Sequence, residues 1–355
     1  MKKTLLFSLL LSSAFSFAQV LQSENFNALT IGNVGTDITG TTAGQGSWLT
    51  LSGNGTAPTT STNANNSNFQ IVASGNSGTN GFRLQGPNGD KGSSFMWKDG
   101  LPTAWAARTA GNNIIEVEVD INPGTRGASR NVFGIYIYNS DYTRTLSGFQ
   151  VNSATGELSL VAYSTPSGNP VGNYSYSLAA APGVLLPENT WSRVGISYNR
   201  ATGRANINTS VITGGSLGVN GSSPSTDPVE VDLFAFSGHT PSVPNTSSTT
   251  MIFDNFVVRA SNTDTLLNTT LVESTVSTVS VYPNPANDII NVSIINSNGT
   301  VAVKKASITD INGRIIKNLT SVANNQINVS DLNSGIYFLN IETNEGSTVK
   351  KFIKN

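Results

Sequence analysis

The heptapeptide Ile115-Glu116-Val117-Glu118-Val119-Asp120-Ile121 constrains the fold more than any other stretch of the chain. Its strict period of two sends the four aliphatic side chains to one face of an extended strand and the three carboxylates to the other; a helix would mix them around its circumference. A strand with one apolar face must bury it against a second layer, so packed sheets are required. The other face is left to meet solvent or a ligand. Further strand candidates are Phe69 to Ala73, Val132 to Tyr138, Gly148 to Val151, Leu158 to Tyr163, Trp191 to Tyr198, Arg204 to Ile207, Val229 to Ser237 and Met251 to Arg259. Turn clusters such as Asn122-Pro123-Gly124, Ala154-Thr155-Gly156 and Asn199 to Gly203 separate them, and no helical periodicity of useful length interrupts them. With 34 glycines for turns and 37% hydrophobic residues for a core, residues 19–262 read as one all-β domain, an antiparallel sandwich.

The termini point to export. Lys2 and Lys3, the apolar run Leu5 to Leu11 and Ser16-Phe17-Ala18 before Gln19 have the form of a secretory signal peptide over residues 1–18. That run falls short of the roughly 20 residues a membrane-spanning helix needs, and no later segment comes closer. The absence of cysteine excludes a lipid-anchoring cysteine, disulfides and thiolate metal sites. A formal net charge of -1 with 12% charged residues gives no electrostatic footprint for nucleic acid or an anionic membrane.

Residues 263–278 are rich in Thr and Ser and lack Gly and Pro, as an extended linker would be. Residues 279–355 then carry four blocks: Tyr282-Pro283-Asn284-Pro285-Ala286; Asp310 to Ile316 with Asn312-Gly313; Gly335-Ile336-Tyr337 leading into a strand; and Lys350-Lys351-Phe352-Ile353-Lys354. In this order they resemble the type A sorting domain of the Bacteroidetes type IX secretion system, over about a fifth of the chain. The resemblance implies a small Ig-like β-sandwich that the export machinery recognises and cleaves, leaving the cargo released or joined to surface lipopolysaccharide. It therefore places the cargo outside the cell or on the outer-membrane surface.

In the cargo, Thr190-Trp191-Ser192-Arg193-Val194-Gly195-Ile196-Ser197-Tyr198 followed by Ala201-Thr202-Gly203 resembles a strand and turn of laminin-G-like, concanavalin-A-like jelly rolls. Phe253-Asp254-Asn255-Phe256-Val257-Val258 resembles their closing strand. In such folds the first and last strands lie side by side, and an acid from each often holds calcium. The resemblance thus implies a structural calcium at Glu24 and Asp254, whose oxygen ligands suit a hard cation; hydrogen bonding at strand ends is the alternative. Asp264-Thr265-Leu266 resembles a Bacteroidetes O-glycosylation triplet.

Catalytic options are few. His239, the single histidine, has no nucleophile elbow beside it, and no multi-histidine zinc site can be built. The spacing Glu116-x-Glu118-x-Asp120 resembles the E-x-D-x-E strand of jelly-roll glucanases, which implies Glu116 as nucleophile with Glu118 or Asp120 assisting. It departs from that pattern in its middle and last residues. A retaining mechanism needs carboxyls about 5 to 5.5 Å apart, whereas Cα atoms four residues apart on a strand are about 13 Å apart, and the shorter Asp120 makes convergence harder. A solvated acidic face is the alternative. Trp97 and Trp105, with Tyr136 and Tyr138 on one strand face, are candidates to stack on sugar rings or to fill the core; Trp191 is expected in the core. Three functions follow: a non-catalytic carbohydrate-binding or adhesive surface protein, a jelly-roll glycoside hydrolase, or a structural matrix protein without ligand.

Overall fold

The computed structural model describes residues 18–57, 62–212, 217–240, 242–267, 278–295, 303–310, 314–319, 326–343 and 346–355. Residues 1–17 of the expected signal peptide, residues 268–277 of the expected 263–278 linker, and Gly313 lie outside the described residues. The chain divides into two units, Met1–Asn268 and Thr269–Asn355.

In the first unit the described residues form two antiparallel sheets. The nine-stranded sheet runs Leu217–Val219, Ala205–Thr209, Ser192–Asn199, Ile114–Asn122, Thr250–Ser261, Gly81–Gln85, Phe69–Val72, Gly32–Asn33, with Gln19–Glu24 also paired to Thr250–Ser261. The eight-stranded sheet runs Gly172–Ser177, Glu157–Ser164, Thr145–Asn152, Asn131–Tyr138, Glu230–Ser237, Ser93–Lys98, Trp48–Gly53, with Val184–Leu185 beside Glu157–Ser164. Their facing sides bury one continuous core. Ile115, Val117, Val119 and Ile121 supply one wall, and Phe133, Ile135 and Ile137 the other, with Trp48, Phe26 and Phe82 between stacked rings. This is the antiparallel sandwich that the alternation predicts, consistent with the jelly roll that the resemblance implies.

The first and last strands of this unit lie side by side, Glu24 opposite Phe256. Thr250–Ser261 achieves this by changing partner midway. Residues 250–253 pair with Gly81–Gln85 and residues 256–260 with Gln19–Glu24. Where its register against Ile114–Asn122 shifts, between Asp254 and Val257, Asn255 takes φ +49°, a left-handed conformation that Asn tolerates better than most side chains. The Asp-Asn pair of the closing strand is thus a bulge.

A six-residue helix, Leu101–Ala106, has no counterpart in the sequence reading. It starts after Gly100 at φ +91°, has Pro102 in its first turn, and buries Leu101 and Trp105. Fewer than two turns leave no periodicity to detect.

The second unit has a three-stranded sheet, Thr278–Tyr282, Ile289–Ile295, Gln326–Asn328, and a four-stranded one, Ile315–Leu319, Val303–Asp310, Gly335–Thr343, Gly346–Lys354. Ile290, Val292, Ile308, Leu339, Ile341 and Phe352 form its own core. It is a small β-sandwich of the Ig-like kind.

Candidate functional site

The acidic face expected to meet solvent or ligand is covered. Glu116 and Glu118 are 0% and 1% exposed and Asp120 is 7%. The reason lies on the neighbouring strands and beyond. Arg193, cross-strand partner of Asp120, holds Asp120 at 3.0 Å and Glu118 at 3.2 Å. Arg259, partner of Glu116, bonds Glu118 through Nη2 and lies 3.5 Å from Glu116. Residues 264–267, expected to begin the linker, cross this face as a strap. Thr265 donates its backbone N–H to Glu116 at 2.5 Å and its hydroxyl also bonds that carboxylate; Leu267 donates to Glu118 at 3.1 Å; Leu266 is buried. Burial raises the Glu116 carboxyl above its ordinary range, against the bonds from Thr265 and the charge of Arg259. Three acids, two guanidiniums and a strap make a buried ionic network with no room for a sugar.

The opposite outer side of the eight-stranded sheet carries an aromatic layer, with Phe234 fully buried within it. Phe234 opposes both Gly134 and Phe95, and Leu49 opposes Trp97, so period two collects their side chains outside the core. The rings pack on one another: Tyr136 to Phe234 with centroids at 4.2 Å, Phe234 to Phe236 at 5.1 Å, Tyr136 to Tyr138 at 5.8 Å edge-on. Gly148 makes space for this layer, since a Cβ there would lie 2.4 Å from the Tyr136 ring. Gly40, at φ +75°, lies against the Trp97 indole, where a Cβ would come within 2.6 Å.

At one end of the layer a cavity of about 490 Å³ opens. Leu49, Leu51, Phe95, Trp97, Tyr138 and Tyr142 supply its apolar walls, and Asp99, Glu230 and Asp232 its polar groups; no lysine or arginine lines it. Glu230 and Asp232 oppose Tyr138 and Tyr136 across the strand pair. The Tyr142 hydroxyl reaches Glu230 at 3.4 Å, whereas Asp232, only 6% exposed, has an Oδ1 that receives no hydrogen bond. Burial, then the adjacent Glu230, pushes the Asp232 carboxyl well above the ordinary carboxylate range, and burial raises Glu230 as well. The pair therefore retains a proton at pH values where isolated carboxyls have lost theirs.

The structure thus brings Trp97 and Tyr138 together at one cavity, with Tyr136 behind. Trp105 belongs elsewhere: it is 2% exposed in the core, its indole donates to Asp227 at 2.7 Å, and Arg108 covers its ring at 3.9 Å. Trp191 is half-buried just before its strand rather than in the core. Sequence reading missed Glu230 and Asp232. The available signal was the run Glu230-Val231-Asp232-Leu233-Phe234-Ala235-Phe236, which alternates acids and aromatics with core aliphatics.

His239 lies in an exposed loop, 3.4 Å from the Ser237 hydroxyl. Glu24 and Asp254, the acids that the resemblance implies for a structural calcium, each have protein partners here. Glu24 forms an ion pair with Lys98 at 3.0 Å and accepts the Phe26 N–H. Asp254 accepts Asn76 N–H at 2.8 Å, Asn255 N–H at 2.7 Å and the Thr79 hydroxyl. Among the described residues no cluster of three or more His, Cys, Asp or Glu is placed to hold a metal.

In the second unit the sequence blocks converge. Asn284 Oδ1 accepts the Ile353 N–H at 2.9 Å, its Nδ2 reaches the Lys351 carbonyl, and Ala286 donates to the Ile353 carbonyl. Tyr282, Pro283 and Pro285 are exposed, as is Lys351, whereas Lys350 is half-buried. Gly335 opens the strand that carries Tyr337 onto Phe352, with ring centroids at 5.7 Å. The first and last blocks are therefore stitched together by hydrogen bonds.

Residues 280–355 match the family described as the secretion system C-terminal sorting domain. This domain makes the chain a type IX secretion cargo, exported to the cell surface or the extracellular space, and it is the part that engages the export machinery. No curated protein matches the sequence. Solved structures similar to this chain include the PL-14 alginate lyase of Aplysia kurodai, at 10% identity and a TM-score of 0.43, covering 68% of this chain and 100% of that one. The alginate lyase vAL-1 from Chlorella virus follows at 14% identity and 0.36, covering 54% and 88%. The binding domain of botulinum neurotoxin DC, solved with rat synaptotagmin II, stands at 11% and 0.35, covering 91% and 77%. Among the described residues no helix is long and apolar enough to cross a membrane.

Proposed function

We propose that the cargo is a non-catalytic carbohydrate-binding protein displayed or released outside the cell. One observation carries this reading: the aromatic cavity over Trp97 and Tyr138, floored by Glu230 and Asp232. Pyranose rings present flat C–H faces that stack on such side chains, and carboxylates accept their hydroxyl hydrogens, the combination of apolar walls and few fixed polar groups that small-molecule sites use. The hydrolase reading on Glu116, Glu118 and Asp120 gains nothing from their placement, because each is tied to arginine or to the strap beneath a closed surface.

The test is retention of the full chain on a panel of insoluble polysaccharides, with product analysis of the supernatant. Retention without new reducing ends is expected, weakened about tenfold or more by Trp97→Ala, the order found when a base–aromatic stack is truncated, and unchanged by Trp191→Ala. Failure of the wild-type protein to be retained on any polysaccharide would overturn the reading in favour of a structural matrix protein.

A further inference from the structure

The polar lining of the cavity is of one sign. Asp99 follows the Ser93–Lys98 strand, Glu230 and Asp232 lie on the Glu230–Ser237 strand, and no lysine or arginine joins them and the aromatic residues in the lining. A carboxylate as enclosed as Asp232 ordinarily has hydrogen-bond donors, and its Oδ1 has none. In its ionised form that oxygen needs a donor, and the surroundings state the charge of the donor that fits. A polyanionic chain would set its own carboxylates or sulfates against three acids in a partly desolvated space, which is costly. A neutral hydroxyl would satisfy Asp232 Oδ1 but leave the charge of the lining unmatched. An ammonium would satisfy both, and Trp97 and Tyr138 would attract it further through their ring faces.

Building on the carbohydrate-binding reading above, we propose that this cavity selects glycans bearing a free primary amine: the ammonium of an amino sugar sits among Asp232, Glu230 and Asp99 while the sugar ring stacks on Trp97. The acid pair accommodates this partner without a change of fold. Unliganded, Glu230 and Asp232 avoid two adjacent buried charges by keeping a proton; on binding of an ammonium that proton is released to solvent, and the Asp232 carboxylate then accepts a hydrogen bond from the cation. The other ionisable groups facing the pair are Tyr136 and Tyr138 on the Asn131–Tyr138 strand, Tyr142 in the loop after it, and Asp99.

The experiment is calorimetric titration of the full chain with three soluble oligosaccharide series of equal length: β-linked glucosamine, β-linked N-acetylglucosamine, and oligoguluronate. Glucosamine oligomers are expected to bind about tenfold or more tightly than the acetylated series, the worth of one charge-assisted hydrogen bond, and oligoguluronate not at all. Asp232→Asn should remove that preference, and the exposed Asp99→Asn should reduce it with an unchanged melting temperature, which keeps the test valid if the buried variant folds poorly. Equal affinity for the amine and acetylated series, or binding of oligoguluronate, would overturn amine selection while leaving carbohydrate binding standing. Silence toward all three would also overturn it, and the polysaccharide retention panel then decides the broader reading separately.

Discussion

Glu118 sits between two arginines, and its position decides what removing it would do. It is 1% exposed and shared by Arg193 and Arg259, with Leu267 donating from above. Replacing this buried carboxylate by an amide takes from each guanidinium one of its two carboxylate partners, so the cost stays below the roughly 3 to 5 kcal/mol of a buried pair whose only partner is lost. Glu118→Gln is therefore expected to lower the cargo's unfolding free energy by a few kcal/mol in chemical denaturation while leaving polysaccharide retention unaltered. Loss of retention in a variant that still unfolds cooperatively would return this strand to the list of ligand contacts. At the same scale the four tryptophans are chemically alike in the sequence but unlike in the fold. Trp97 and Trp105 both sit in mixed, polar-flanked segments, and only the short helix that begins at Leu101 sends Trp105 inward to Asp227 while Trp97 stays on the outer layer. That separation rests on a single turn of backbone, below what periodicity can reveal.

At the scale of elements, the alternating pattern located the strands well, and for a physical reason: each has one face in a common core, so burial wrote a period of two into it. The Ile114–Asn122 strand is the clearest case. What the pattern left undetermined was the use of its second face. Alternation marks Glu116, Glu118 and Asp120 as polar, but whether a polar face meets water, sugar or arginine depends on Arg193, Arg259 and residues 264–267, brought in from elsewhere in the chain. Composition likewise hid the strap, because Thr263 to Leu267 resembles the linker that follows it. The strap makes a prediction about processing. Leu266 is buried and Thr265 and Leu267 supply donors to two buried carboxylates, so a cargo fragment ending at Asn262 should be less stable than one ending at Leu267. Burial of one leucine is worth about 1.5 to 3 kcal/mol, and the unsatisfied carboxylates add to it. By the same argument, mass spectrometry of the mature secreted protein should find its C-terminus beyond Leu267. A terminus before Thr265, or equal stability of the two fragments, would contradict the strap.

For the whole molecule, the absence of disulfides and of any cysteine shifts the burden of extracellular stability to the core and to how its buried acids respond to pH. Burial raises the Asp254 carboxyl from an ordinary 3.8 to about 6, outweighing the donors that lower it, and raises Glu116, Glu230 and Asp232 as well. A carboxyl with a higher pKa in the folded than in the unfolded chain binds more protons when folded between those two values, so folding becomes less favourable as pH climbs through that window. Asp37, Asp141 and Asp227 are held below the ordinary range, the first two by hydrogen bonds to neighbouring threonines and Asp227 by bonds from Arg200 and Trp105 against its own burial. Their contribution is present above the unfolded carboxylate range and is lost only as pH falls below it. From pH 7 down to about 5, then, the raised acids govern, and the cargo should become more stable on mild acidification. The Asp254 share is at most about 3 kcal/mol over the whole window down to 3.8, and about 1.3 kcal/mol of it falls between pH 7 and 5. Thermal unfolding of the cargo transition at pH 7, 6 and 5 should show a rising melting temperature, and Asp254→Asn, which removes one titrating group, should flatten that rise. A melting temperature that falls across the same interval, or a slope identical in the variant, would mean that these carboxyls ionise in the folded protein as freely as they do in the unfolded chain.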